Sequence, residues 1–228
     1  MRYGVIADVH GNLHALSTVL DALEVEGVQR FLCAGDLVGF GPRPNECVER
    51  IASLDAVVVA GNHDLMAVGL LPTDSLGPYV RRTVEWTRRA LSAEARAYLS
   101  GLPLTASADD GVVVAHGSLE DPTEYVRSCA EVPALPAGSR GVVLGHTHVP
   151  LSCDGPPWLL NPGSVGQSRE RRPVARAAVL DGERARLLEL DYDVRATRAE
   201  LRAAGLPVTM CHLRPGRVQT LRRRLSVR

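Results

Sequence analysis

The sequence predicts an α/β fold, on three observations. Short apolar runs that end in turns are followed by leucines at helical spacing, and this strand–helix unit recurs through the first hundred residues. From residue 104 onward, short strands separated by turn residues take over.

Residues 3–9 form the first apolar run, which stops at Gly11-Asn12. Leu13, Leu16, Leu20 and Leu23 then recur at helical spacing as far as Gly27. Residues 31–34 repeat the unit: a Gly/Pro-rich loop follows, then Cys47, Val48, Ile51 and Leu54 mark a second helix with prolines near its start. Residues 57–60 read as a third buried strand. The stretch 76–102, bounded by Gly77-Pro78 and Gly101, reads as one or two surface helices. The later strands are split by Asp109-Asp110-Gly111, Gly141, residues 153–157 and Asp181-Gly182, the last a strong two-residue hairpin signal. Residues 194–204 read as a final helix. Within an expected single domain spanning 1–228, residues 205–228 form an Arg-rich tail whose structure the pattern does not define.

Composition narrows the function classes. With 45% apolar residues and 4% aromatics, the core must be built from Val, Leu, Ile and Ala. All 26 basic residues are arginines and the formal net charge is zero, which argues against a general nucleic-acid or membrane-surface binder. No segment approaches the roughly 18 apolar residues of a membrane span. Cys33, Cys47, Cys129, Cys153 and Cys211 are odd in number and scattered, a spacing that fits no disulfide framework, so a reducing cytoplasm is the expected location.

The informative observation is where the histidines fall. Asp8-Val9-His10, Gly61-Asn62-His63-Asp64, His116-Gly117 and Gly145-His146-Thr147-His148 each follow β-rich sequence, as does Gly35-Asp36. Carboxyl ends of strands in α/β sheets bring distant side chains together on a ligand. Asp8 and His10, like His146 and His148, have the period of two that would put both side chains on one side of an extended segment. Oxygen and imidazole donors without thiolate suit a divalent ion such as Mn²⁺, Fe²⁺, Co²⁺, Ni²⁺ or Zn²⁺. Seven candidates (Asp8, His10, Asp36, Asn62, His116, His146 and His148) are too many for one ion. They suit two ions sharing a carboxylate, the usual device for displacement at phosphorus.

The ordered set DVH, GD, GNHD, HG and GHTH resembles the calcineurin-like metallophosphoesterase family, and Asn161-Pro162-Gly163-Ser164-Val165-Gly166-Gln167 resembles its small bacterial and archaeal phosphodiesterase branch. The resemblance implies a four-layer α/β/β/α sandwich with two mixed β-sheets, and two divalent ions, manganese first among the candidates. It implies Asp8, His10 and His148 on one ion, Asn62, His116 and His146 on the other, and Asp36 bridging. It leaves His63 as the catalytic residue facing substrate, with Asp64 or a backbone carbonyl to orient its ring, while a metal-bridging hydroxide attacks phosphorus. The sequence departs from the protein-phosphatase branch: GD-x-x-D-R is replaced by Asp36-Leu37-Val38-Gly39-Phe40, so the acidic partner of the histidine and the phosphate-gripping arginine are missing. Arg43, Arg169, Arg171 and Arg172 are candidates to compensate.

The expected function is therefore a phosphodiesterase acting on a small or nucleotide-like phosphate ester. The rivals are a phosphomonoesterase or protein phosphatase, and a non-catalytic interaction scaffold of the same fold. Outside the metal clusters, blander readings prevail. Asn12 reads as a helix N-cap, His14 as an exposed or capping side chain, His212 as structural or solvated, and Arg222-Arg223-Arg224 as a solvated basic run. Asn161 reads as a turn residue or a site-rim residue, and Phe40 either as a core anchor or as a nucleobase platform at the site mouth.

Overall fold

The computed structural model describes residues 1–213. The run 222–224 and the rest of the tail beyond 213 lie outside the described residues. Two mixed five-stranded sheets pack face to face. The first has the order β10-β9-β1-β2-β3, from strands β1 (Arg2–Ile6), β2 (Arg30–Cys33), β3 (Ala56–Val58), β9 (Ala175–Asp181) and β10 (Arg184–Leu190). The second has the order β4-β5-β6-β8-β7, from β4 (Thr105–Ser107), β5 (Val112–Ala115), β6 (Gly141–Val143), β7 (Leu151–Cys153) and β8 (Trp158–Asn161). β1, β2 and β3 run parallel, and so do β5, β6 and β8. Each sheet thus offers three carboxyl ends at one rim.

The helices are α1 (Leu13–Val25), α2 (Pro44–Ala52), α3 (Asn62–Val68), α4 (Pro78–Ala90), α5 (Ala93–Ser100) and α6 (Val194–Ala203). α1 starts where Asn12 Oδ1 accepts the Ala15 N–H, so Asn12 is an N-cap. The stretch 76–102 resolves into two helices, because Leu91 adopts an extended backbone and Ser92 caps the next helix. Gly182 and Glu183 form the two-residue loop between β9 and β10, one position later than the Asp181-Gly182 signal, because Asp181 is still paired with Arg184. Against the outer face of the first sheet, Leu16, Leu20 and Leu23 of α1, Cys47, Val48 and Ile51 of α2 and Leu99 of α5 are buried. Between the sheets, Tyr3, Val5, Ala7, Leu32 and Ala34 meet Val112, Val114, Val143, Trp158 and Leu160. The outer face of the second sheet packs Val113, Val142, Leu144 and Leu159 against Leu119, Val126, Val132 and Leu135, from a long connection with a single 3₁₀ turn. Among the described residues no helix is long and apolar enough to cross a membrane.

The cysteine expectation is corrected: Cys129, on that long connection, is disulfide-bonded to Cys153 of β7. Their spacing of 24 residues carries no signature because the path of an irregular connection brings them together. Cys33, Cys47 and Cys211 are free and buried.

Candidate metal centre

The polar clusters converge on one rim. Asp8 and His10 lie beyond β1, Asp36 beyond β2, His116 beyond β5, and His146 and His148 beyond β6, while Asn62 is the first residue of α3. All seven are buried. The loops are stitched together: the His10 N–H donates to Asp36 O (2.8 Å), the Gly145 N–H to His116 O (2.8 Å), and Ser164 Oγ to Asp8 O (2.8 Å). Asn161 donates to Gly145 O (2.6 Å) and accepts from the Gly163 N–H (2.9 Å), which makes it a brace behind the GHTH loop.

The extended geometry expected for the Asp8–His10 and His146–His148 pairs is corrected. Asp8, His10, Asp36, His146 and His148 all have left-handed backbones, with φ between 50° and 63°, and they are the non-glycine residues of positive φ among those described. Such backbones are disfavoured for L-residues and gather at functional sites. They turn each side chain inward from a tight loop rather than from a strand.

Hydrogen-bond logic shows what this cluster accepts. His10 Nδ1 lies 3.1 Å from Val38 O, His148 Nδ1 2.7 Å from Gln167 O, and His116 Nδ1 2.6 Å from Ala34 O. A carbonyl only accepts, so each Nδ1 carries a hydrogen, and each ring in its neutral form presents the Nε2 lone pair. Those lone pairs face other acceptors. His10 Nε2 and His148 Nε2 are 3.0 Å apart, and His116 Nε2 is 3.0 Å from Asn62 Oδ1 and 3.3 Å from Asp36 Oδ2. Asp8 Oδ2 and Asp36 Oδ2 are buried without a hydrogen-bond partner. Donor atoms of Asp8, His10, Asp36 and His148 all lie within 4.8 Å of one another. Converging lone pairs of this kind fit a cation, and the oxygen and imidazole donor set fits a divalent one. Asp36 Oδ2 is shared between two groups, 3.6 Å from His10 Nε2 and 3.3 Å from His116 Nε2. His146 differs: its Nε2 lies 3.0 Å from Thr123 O, which leaves Nδ1 as the lone-pair nitrogen.

Electrostatics favour neutral rings at His10, His146 and His148, but a proton at His116 and at Asp8 that a bound cation would have to displace. Burial drives His10 down to about 3, His146 down to about 4 and His148 well below the imidazole range, and it pushes Asp8 up to about 7. At Asp36 burial is outweighed by His116, His63 and His10, which hold the carboxyl well below its ordinary value. At His116 burial is outweighed by Asp36, which holds the ring up to about 9.

His63 sits beside Asp36: its backbone N–H donates to Asp36 Oδ1 at 2.7 Å. A Cβ on Gly61 would overlap that carboxylate, so a glycine is required at the cap of α3. The expected orienting role of Asp64 is corrected, because both its oxygens are taken by backbone, Oδ1 by the Val38 N–H (3.1 Å) and Oδ2 by the Gly61 N–H (3.0 Å). His63 Nδ1 is buried without a hydrogen bond. Instead, Phe40 packs against both His10 and His63, at centroid distances of 4.6 and 4.5 Å, which makes it a buried anchor rather than a platform at the mouth.

Of the candidate arginines, Arg43 is paired with Glu46 and Glu200, and Arg172 with Asp191 and Glu189. Arg171 is exposed. The charge of Arg169 contributes to the lowering of His148 after burial, and to that of His63 after burial and His116. His212, buried, binds Glu170 O at 2.8 Å through Nε2 and is structural. Sequence reasoning missed Tyr125. It is 38% exposed and lies on His146 at 4.1 Å, with Arg127 over its ring at 4.1 Å. The long connection that carries it has no periodicity to announce it.

Residues 1–185 match the model of the calcineurin-like phosphoesterase superfamily domain. A metallophosphoesterase from Sphaerobacter thermophilus is similar in structure, with a TM-score of 0.80 and 34% identity over 92% of this chain and 96% of that one. An uncharacterised protein of Methanocaldococcus jannaschii is 30% identical over 226 residues, 89% of this chain and 93% of that protein. Phosphodiesterase YfcE of Escherichia coli K12 is 27% identical over 188 residues, 77% of this chain and 85% of that protein.

Proposed function

The chain belongs to the calcineurin-like phosphoesterase superfamily, and from that premise we propose that it is a single-domain, divalent-metal-dependent phosphodiesterase acting on a small or nucleotide-like ester. The observation that carries the reading is the set of facing lone pairs around Asp36. Asp8, His10 and His148 would hold one ion, Asn62, His116 and His146 a second, with Asp36 serving both and manganese the first candidate. When bound, such ions supply Lewis acidity: they acidify a water and neutralise charge on phosphoryl oxygens.

The chain's own residues supply the rest. His63 faces the ester and protonates the departing oxygen. Burial lowers its pKa, and an arriving anionic phosphate favours the protonated ring in opposition to that effect. The diester preference is supported by the rim: Tyr125 and Arg127 offer an aromatic surface and a cation beside His146, suited to an ester's second substituent. The likeness to a phosphodiesterase of Escherichia coli points the same way.

The test is parallel turnover of bis-(p-nitrophenyl) phosphate and p-nitrophenyl phosphate. EDTA should abolish hydrolysis and Mn²⁺ restore it, with the diester preferred. A clear monoester preference would replace this reading with a phosphomonoesterase, and no turnover with any divalent ion would leave only a scaffold.

A further inference from the structure

α6 and the residues after it lie beyond the residues that the family model matches, yet they hold the backs of three site loops. Thr197, buried on α6, donates to Asn12 Oδ1 at 3.1 Å, and Asn12 Nδ2 donates onward to Gly166 O at 2.9 Å. Asn12 is two residues past His10. Glu200 on the same helix pairs with Arg43 (2.9 Å), in the loop after Asp36, and with His14 (3.3 Å). Further on, Met210 O accepts from Gln167 Nε2 at 2.9 Å, and the Leu213 N–H donates to Ser168 O at 3.1 Å. Gln167 is fully buried, and its own carbonyl holds His148 Nδ1. The segment is fastened by a small core of Leu201, Leu206 and Cys211 with Trp86 of α4, and by Arg82 donating to Gly205 O at 2.8 Å.

We propose that residues 194–213 form a strap that sets the loops carrying His10 and His148, acting through Thr197 and Gln167 as positioning residues for metal binding. The proposal rests on the reading that Asp8, His10 and His148 hold an ion. Neither Thr197 nor Gln167 is one of the seven residues assigned to the ions. Thr197 fixes the amide that bridges the two loops. Gln167, tied through its side chain to Met210, cannot rotate the carbonyl that orients the His148 ring. Loss of a group bonded directly to a ligand typically weakens metal binding 10–100-fold; Thr197 and the Gln167 side chain act one bond further out, which sets the expectation at the low end of that range.

The test uses the full chain, stripped with EDTA and titrated with Mn²⁺ while free ion is followed by electron paramagnetic resonance. Q167L and T197V should each weaken the tighter site about 10-fold, whereas T197S, which keeps the hydroxyl, should bind as wild type. S92A removes the N-cap of α5 and serves as a control for general destabilisation. If wild-type protein binds no Mn²⁺, the metal reading itself fails. If wild type binds and T197V and Q167L bind equally well, or if S92A weakens binding as much as they do, the strap is refuted.

Discussion

A methyl group at residue 39 should separate catalysis from metal binding. Gly39 has φ +132°, and a Cβ there would lie 2.7 Å from His63 Nδ1 and 3.0 Å from His63 Cβ and Cγ. Ordinary contact begins near 3.4 Å, so in Gly39→Ala the imidazole must retreat by about 0.7 Å, with Phe40 and α4 behind the loop restricting any other adjustment. Misplacing a reacting group by about 1 Å can cost 10²-fold. The expected loss in kcat on bis-(p-nitrophenyl) phosphate is therefore about 10–10²-fold. Backbone strain adds a stability cost of about 1–3 kcal/mol, seen as a lowered Tm. Gly27→Ala supplies the control: φ is +71° there with nothing within 4 Å of a Cβ, so it should lower Tm and leave kcat alone. Mn²⁺ stoichiometry, measured by elemental analysis, should be unchanged in both. If Gly39→Ala hydrolysed the diester at the wild-type rate, His63 would have no place in the reaction as drawn.

Four further outcomes follow from the same geometry. Asp36→Asn removes the carboxylate shared by both donor groups and should leave fewer than two ions per chain, with turnover below about 1% of wild type; full Mn²⁺ occupancy by elemental analysis would refute the sharing. His63→Gln should keep both ions and slow hydrolysis by about 10²–10⁴-fold, most for poor leaving groups, and a leaving-group series reads this directly. In EDTA, the proton-linked stability of the protein should fall between pH 6.5 and 9. His116 is raised to about 9, so its contribution is full below the unfolded value and is lost as pH rises through the folded one, and excess Mn²⁺ should remove this dependence; urea unfolding across that range checks it. Reducing Cys129–Cys153 opens a loop of 24 residues and should cost about 3 kcal/mol, read as a shift of the urea midpoint with dithiothreitol.

The strand–helix alternation and the polar clusters were legible because each sits in a local pattern, an apolar run, a turn, then a short polar stretch, whereas the pairing of two sheets came from the family resemblance. Backbone handedness was not. Asp8 and His10 have the spacing of an extended pair, and only the loop's hydrogen bonds to Gly35 O and Asp36 O force both into left-handed turns. α3 escaped notice because its seven residues begin inside the GNHD cluster, although Asp64 reaching back to the Gly61 N–H is a capping signal that could have located it. Residues 194–204 read correctly as a helix, but the purpose of Thr197 depends on a contact with Asn12 across 185 positions, which no window of sequence contains. The disulfide and Tyr125 lie on the same irregular connection, where neither period operates.

The left-handed turns at Asp8, His10, Asp36, His146 and His148 carry an engineering consequence. Each penalises its own L-residue by about 1–2 kcal/mol, so glycine at any of the five would relax the chain while deleting a residue of the proposed metal centre. Hardening this protein and keeping it active are thus opposed at the same five positions, and selection for heat tolerance alone should erode the centre there first.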